Sequence, residues 1–277
     1  MRGLIIYEKN DVAPNQAFIN YWQESSEKRG VPLELVVLED IAFGLRNNKP
    51  FLQVKGQDTW ADFAVMRLRH PLLSHHLENM GIRCFNSALT SEILNDKRRT
   101  HDLFRDVAPM MDTAFIDGDM PSPFPFPVVV KGAGGCGGRQ VQLCRDEESY
   151  RAAIRTYAYH AVVQPLCDTP GRDLRVYMLG TKVVQGMLRM SDEVDFRSNF
   201  GLHHKAQTID VPDEARKIAL TVAETLGSAL IGVDFIFDHG RMLFNEAEDA
   251  VGTRMLYQYT PYDIVSMYMD YILSHLA

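Results

Sequence analysis

Residues 127–139 read PVVVKGAGGCGGR. The apolar triplet Val128 to Val130 has the character of a buried strand, and it delivers Lys131 to its end. Five glycines then fall between positions 132 and 138. A segment so rich in glycine has few side chains to pack and loses much entropy on ordering, so its use lies in its backbone: N–H groups that can approach an anion closely. On this stretch alone two readings stand side by side, a phosphate cradle and a flexible hairpin turn. A Walker A loop is excluded, because the lysine precedes the glycines and no Gly-Lys-Ser/Thr follows. The Rossmann fingerprint is excluded as well, since the next residues, QVQLC, alternate as a strand and do not open a helix.

Upstream of this loop the proline-rich MPSPFPFP reads as a linker. Before it, Ser87 to Arg105 carries apolar residues at helical spacing, and Asn95-Asp96-Lys97 lies inside that helix as a polar cluster. The first 85 or so residues alternate strands and helices: GLIIY, an amphipathic helix over 14–29, LELVVLED, DFAVMRLRH, a helix over 72–80 and IRCFN. Residues 46–60 show no clear element. Arg69 stands at the carboxyl end of the third strand, where an open α/β sheet binds ligands. Downstream the sequence predicts a helix after Cys144, a strand AVVQPL, a hairpin of RVYML and KVVQGML turned at Gly180-Thr181, an irregular polar segment over 192–208, and a helix over 213–226. A second hairpin, ALIGVDFIFD and RMLFNEAED turned at His239-Gly240, and a closing helix over 262–276 complete the chain.

With 277 residues, 46% of them hydrophobic, the chain has the length of one large domain or two to three small ones. A net charge of −7 argues against nucleic acid or an anionic membrane as partner. No run approaches the ~18 apolar residues of a membrane span and no signal segment opens the chain, so a cytoplasmic location is expected. Cys84, Cys136, Cys144 and Cys167 show no CxxC spacing and are expected as free thiols. A homo-oligomer is compatible with the sequence.

The second hairpin collects Asp234, Glu246 and Glu248. An i, i+2 pair shares a strand face, and a turn at 238–240 brings Asp234 to it. Clustered carboxylates repel, and a hard cation, Mg²⁺ or Mn²⁺, resolves the repulsion; the alternative is a strand face paired with Lys or Arg.

Taken in order, the strand-lysine-glycine loop, VVQPL, GRDLRVYMLG, DFRSN, GVDFIF and NEAE resemble the ATP-grasp superfamily, and within it the RimK-like carboxylate-amine ligases. The resemblance covers about Asn86 to Glu248. It implies an α/β (α+β) ATP-grasp fold behind an N-terminal Rossmann-like pre-ATP-grasp domain. The expected domains are 1–85, a central subdomain 86–162 with the glycine lid, and a C-terminal subdomain 163–277 with the metal site. It implies ATP held by Lys97, Lys131, Gly134, Gly135, Gly137 and Gly138, adenine at Gln164, Pro165 and Leu166, and Asp173 on the ribose side. Arg175, Arg189, Arg197 and Asn199 take the catalytic positions, with Ser198 completing the Arg-Ser-Asn motif. Asp234, Glu246 and Glu248 take the metal positions, with two Mg²⁺ (or Mn²⁺) ions expected. Pro165 departs from the acidic residue common in the family, and Glu248 stands where most members have Asn. Arg69, His203, Lys205 and Arg254 are candidates for substrate contact. The implied activity is ATP-dependent ligation of a carboxylate, small-molecule or peptide, to an amine through an acyl phosphate. Phosphotransfer to a small molecule and a catalytically silent nucleotide-binding module are the alternatives.

Overall fold

The structure is a computed structural model and describes residues 1–135, 140–191 and 205–276. In chain order it begins with β1 (Gly3–Tyr7), α1 (Lys9–Val12), α2 (Gln16–Glu27) and β2 (Leu33–Val37). A meander follows, β3 (Ile41–Arg46), β4 (Lys49–Val54) and β5 (Gln57–Asp58), and then β6 (Phe63–Met66), α3 (Pro71–Asn79) and β7 (Arg83–Phe85). Strands β2-β1-β6-β7 form a parallel sheet. Its central strands are buried on both faces, which is why GLIIY and FAVM read as continuous apolar runs. Ile5, Phe63 and Val65 pack toward Ile19 and Trp22 of α2, while Leu4, Ala64 and Met66 pack toward Leu73 and Leu77 of α3.

The meander lies where no element was expected. Its two reversals are Asn47-Asn48 and Lys55-Gly56, all four in the left-handed region, with φ of 52°, 59°, 51° and 77°. Two consecutive positive φ values give the tight turn whose twist suits antiparallel strands. The helix expected over 87–105 is also interrupted. It consists of α4 (Ala88–Leu94) and α5 (Lys97–Phe104), and each starts on its own cap. The Ser87 hydroxyl accepts from the N–H of Thr90, and the Asp96 carboxylate accepts from that of Arg98 at 2.9 Å.

The middle of the chain supplies β8 (Ala114–Ile116), β9 (Val128–Gly132), β10 (Val141–Cys144), α6 (Glu147–Thr156) and β11 (Ala161–Pro165). They form a four-stranded antiparallel sheet in the order β10-β9-β11-β8. Val128 and Val130 enter its core with Tyr150 and Ile154 of α6. Strand alternation therefore turns Lys131 to the opposite face. A reciprocal capping box between Asp146 and Ser149 starts α6.

The last part contains β12 (Arg172–Leu179), β13 (Lys182–Met190), β14 (Lys205–Ile209), α7 (Asp213–Leu226), β15 (Leu230–Asp238), β16 (Arg241–Glu248), α8 (Arg254–Tyr259) and α9 (Ile264–Leu276). The antiparallel sheet has the order β14-β13-β12-β15-β16. One face carries Leu174, Val176, Val233, Phe235 and Phe244 under the apolar side of α7. Helix α7 itself ends at Gly227, φ 55°, in a left-handed cap. The tail helix α9 packs back on α2 and the parallel sheet through Ile264, Tyr268 and Ile272. Residues 205–208, the end of the segment expected to be irregular, belong with Ile209 to edge strand β14. Among the described residues no helix is long and apolar enough to cross a membrane, and Cys84, Cys144 and Cys167 are free thiols.

Candidate active site

The face of the five-stranded sheet opposite α7 is charged, and strand register determines which groups meet there. Asp173 lies opposite Arg189, and Arg175 lies opposite Asp234. Side chains directly across an antiparallel pair share a face, so these four converge. Arg175 clamps Asp234 with Nε and Nη2 at 2.7 and 2.6 Å, and its Nη1 reaches Glu248 at 2.9 Å. Arg189 engages both oxygens of Asp173, and its Nη2 donates to Asp234 at 2.8 Å. Gly232 makes room for this clamp: a Cβ there would stand 2.7 Å from Val251 Cγ2 and 3.3 Å from Arg175 Cδ.

A straight hairpin would not assemble the three carboxylates. Pairing starts at Asp238 with Arg241 and runs in step through Phe235 with Phe244, which would next set Asp234 against Asn245. That register would turn Glu246 and Glu248 toward α7. A bulge between Asp234 and Phe235 shifts it by one residue, so that Asp234 faces Glu246 and Gly232 faces Glu248. Oxygens of Asp234, Glu246 and Glu248 then lie within 4.8 Å of one another. The extra residue, Asn245, accepts a 2.7 Å hydrogen bond from Lys131 Nζ, so the bulge also anchors the lysine at the root of the glycine loop.

Lys97, the first residue of α5, closes the site from another side. Its Nζ lies 3.2 Å from Glu246 and donates to the carbonyl of Gly135, while its backbone N–H donates to Ala133. The two lysines thus link the carboxylate-bearing strand β16 to the start of the glycine loop. Burial raises the Asp234 carboxyl, but the guanidinium charges of Arg175 and Arg189 outweigh that and hold it at about 2. Burial likewise opposes the charge on Glu246, and Lys97 overcomes it, keeping that carboxyl below its ordinary range. Burial pushes the Lys131 ammonium down to about 8, with Glu246 opposing and Lys97 adding to the effect. His101, on the inner side of α5, is driven to about 4 by burial and then by the Lys131 charge, so it is neutral at pH 7.

Several expectations are modified by this geometry. Repulsion among the carboxylates does not require an ion, because Arg175, Arg189 and Lys97 supply counter-charge. The fit to a hard divalent cation rests instead on the donor set, convergent carboxylate oxygens of which those of Glu246 and Glu248 retain solvent access. Asp173, expected on the ribose side, is buried in the arginine network because its strand partner is Arg189. The Leu166 N–H is directed to Pro127 and Pro165 has none, so those two residues bring no free N–H to adenine; the Gln164 amide is buried against Thr113. Lys205 is paired with Met190, one step out of phase with Arg189, and so falls on the other face of the sheet. Arg254 donates to the carbonyl of Pro14 at 3.1 Å and has no contact with the carboxylates among the described residues. Cys136, Gly137, Gly138, Arg197, Ser198, Asn199, His203 and His204 lie outside the described residues. Arg69 borders a cavity of about 580 Å³ between α3, the corner of α4 and α5, and Gly134, with Leu72 and His75 beside it. Asn245 was not singled out in the sequence, and neither were Asn86 and Asp249, which are buried and form a polar junction with the half-buried Asn95 of the Asn95-Asp96-Lys97 cluster.

The RimK-like ATP-grasp domain model matches residues 107–272, which spans all of this charged sheet face and Lys131. The chain belongs to the RimK-like ATP-grasp family. The family comprises carboxylate-amine ligases, and this member is 26% identical to beta-citrylglutamate synthase B of Danio rerio over 95% of its own length and 71% of that protein. It is 25% identical to a probable alpha-L-glutamate ligase of Shewanella sp. (strain W3-18-1), covering 91% of this chain and 89% of the relative. In fold it is similar to D-cycloserine synthetase DcsG, with a TM-score of 0.77 at 15% identity over all of both chains. It is similar also to the ATP-grasp ligase PsnB complexed with minimal precursor, Mg and ADP, at a TM-score of 0.69 and 17% identity, covering 99% and 97% of the two chains. The mixed α/β ATP-grasp fold that the sequence resemblance implied is thus the fold of this chain.

Proposed function

We propose that this RimK-like protein is an ATP-dependent ligase that activates a carboxylate as an acyl phosphate and joins it to an amine. The observation that carries the proposal is the convergence of Lys97 and Lys131, at the root of a glycine loop, on Asp234, Glu246 and Glu248 of a different sheet. Phosphate oxygens on one side and hard carboxylate ligands on the other are what a metal–nucleotide complex demands. In this reading Lys97, Lys131, Gly134 and Gly135 hold the phosphates. Asp234, Glu246 and Glu248 hold the divalent cation, Mg²⁺ or Mn²⁺, which supplies Lewis-acid neutralisation of the phosphate charge. A carboxylate oxygen of the acid attacks the γ-phosphorus, and the bond to the β-phosphate oxygen breaks to release ADP. The amine nitrogen then attacks the acyl carbon, the C–O bond to phosphate breaks, and the nitrogen loses a proton. Arg175 and Arg189 neutralise charge as it builds, and they are pre-oriented for it because Asp173, Asp234 and Glu248 already fix their planes.

For the acid, the cavity beside Gly134 is the proposed entry. Arg69 has no ion-pair partner among the described residues and stands next to Leu72, which suits a substrate with a second, non-reacting carboxylate and an apolar stem. The three-part division at 1–85, 86–162 and 163–277 is proposed as the working division of the enzyme, with the cavity and the nucleotide site lying between its parts. ADP and free phosphate are measured against a panel of mono- and dicarboxylates and amino acids. Release that depends on both an acid and an amine supports the ligase. Phosphorylated acceptor without amine consumption makes the protein a phosphotransferase, and ATP binding without turnover makes it a regulatory module.

A further inference from the structure

Asp249 follows the last residue of β16 and has no part in the nucleotide reading, yet it is almost wholly buried, 2% exposed. Its Oδ1 accepts from Asn86 Nδ2 at 2.8 Å and its Oδ2 from Asn95 Nδ2 at 3.2 Å. Its carbonyl accepts a further 3.3 Å bond from Asn86 and a 2.8 Å bond from the N–H of Val251, which closes a tight turn. Each partner leads somewhere. Asn86 leaves β7 of the parallel sheet and also grips β15, donating to the carbonyl of Leu230 at 2.8 Å and accepting from the N–H of Ala229. Asn95 ends α4 and stands two residues before Lys97, with Asp96 between them as the cap of α5. The other carbonyls of the turn are held as well: Val251 by Arg67 of the parallel-sheet unit at 3.0 Å, and Gly252 by the Tyr177 hydroxyl at 2.8 Å.

This junction needs an acceptor on both sides. Asn86 and Asn95 each present an N–H group, and the two oxygens of Asp249 accept one from each. An amide at 249 would satisfy one asparagine and set N–H against N–H at the other. A fold rivet between β7 and β15 would be complete with Asn86 alone. The bond to Asn95 reaches out to the corner that carries Lys97, while the backbone of Asp249 continues directly from Glu248.

We propose that Asp249 is a positioning residue that fixes Glu248 and Lys97 relative to each other, so that the metal and phosphate halves of the site are held in one geometry by a carboxylate that touches neither. The inference rests on the reading of Glu248 and Lys97 as metal and phosphate groups. Loss of hydrogen-bonded partners behind metal ligands typically weakens metal affinity about 10–100-fold. Asp249→Asn is therefore expected to weaken Mn²⁺·ATP binding by about tenfold or more, measured by calorimetry on protein shown to be folded by circular dichroism. In a Lys97→Met background the same substitution should cost markedly less than in the wild type, because part of its effect passes through Lys97. A structural role alone would lower the melting temperature and leave the dissociation constant of the folded protein unchanged, and that result overturns the proposal. So does full additivity of the two substitutions. Should Asp249→Asn fail to fold, Asn95→Ala, which removes the link to the corner together with the bonds from Asn95 to the carbonyl and hydroxyl of Ser91 at 2.8 and 3.0 Å, carries the same test with the same outcomes. A wild-type protein that binds no Mn²⁺·ATP refutes the parent reading, whereas a wild type that binds it and an Asp249→Asn variant that binds it equally refute only the positioning role.

Discussion

Asp234→Asn is the substitution whose consequences are most fully determined by the geometry. Both oxygens of Asp234 accept from Arg175, and Oδ2 also accepts from Arg189. The asparagine has the same shape but only one acceptor oxygen, so its N–H groups face the guanidinium of one arginine or both. Stripping one partner from a buried ion pair costs about 3–5 kcal/mol. Here Arg175 keeps Glu248 and Arg189 keeps Asp173, which lowers the expected loss to the bottom of that range or just below it, about 2–3 kcal/mol. A second route gives the same scale. The carboxyl sits at about 2 in the folded protein against a usual 3.8, and at 1.36 kcal/mol per pH unit this is ~2 kcal/mol. Because the folded value is the lower one, this stabilisation is complete above pH 3.8 and disappears as pH falls toward 2. Urea unfolding of both proteins from pH 7 to pH 3 is the assay. The gap should be constant from pH 7 to about pH 5 and shrink below pH 4. A gap that stays the same from pH 5 to pH 3, or one below about 0.5 kcal/mol at pH 7, would show that Asp234 is not the charged keystone of the cluster.

Lys131→Met should behave in the opposite sense on stability. The folded ammonium titrates at about 8 against a usual 10.5, so its buried charge costs stability below pH 8 and the cost fades as pH rises toward 10.5. The variant is expected to melt at or above the wild-type temperature at pH 7, to lose that advantage by pH 10.5, and to bind ATP at least tenfold more weakly by calorimetry; unchanged ATP affinity refutes the phosphate role. Deleting Asn245 should close the bulge and leave Glu246 opposite Asp234 in an unbroken ladder, so that the three carboxylates stay on one face and Mn²⁺ binding, detected by electron paramagnetic resonance, is retained. Asn245→Ala, which keeps the bulge and removes the bond to Lys131, should likewise retain Mn²⁺ binding, and loss of that binding in the deletion variant alone would refute the register argument.

What could be read from the sequence, and what could not, divides along the physics of each element. Helix α7 and the hairpin of β15 and β16 were legible because a local rule covers each: apolar spacing closed by Gly227, and two strands about a His239-Gly240 turn. Lys131 was legible as the end of a strand because Val128 and Val130 need a covered face. The break at Asn95-Asp96 went unread, since Ser87 and Asp96 each satisfy a cap only when the second helix turns away toward the glycine loop, which is a tertiary fact. The expectation about the carboxylates exposes a deeper limit. The i, i+2 rule correctly joins Glu246 to Glu248, but it is silent on which face they take, because one inserted residue reverses the answer. The bulge is pinned from outside the hairpin: the N–H of Phe244 donates to Pro109, Met110 bridges to the same strand, and Lys131 claims Asn245. Each of these partners is more than a hundred residues from β16 in the chain. The hairpin can therefore form by its local signals, but the three carboxylates converge only when the lysine-bearing sheet is docked on it, and for that reason the acidic cluster and the lysines at the root of the glycine loop are not separable pieces of the fold.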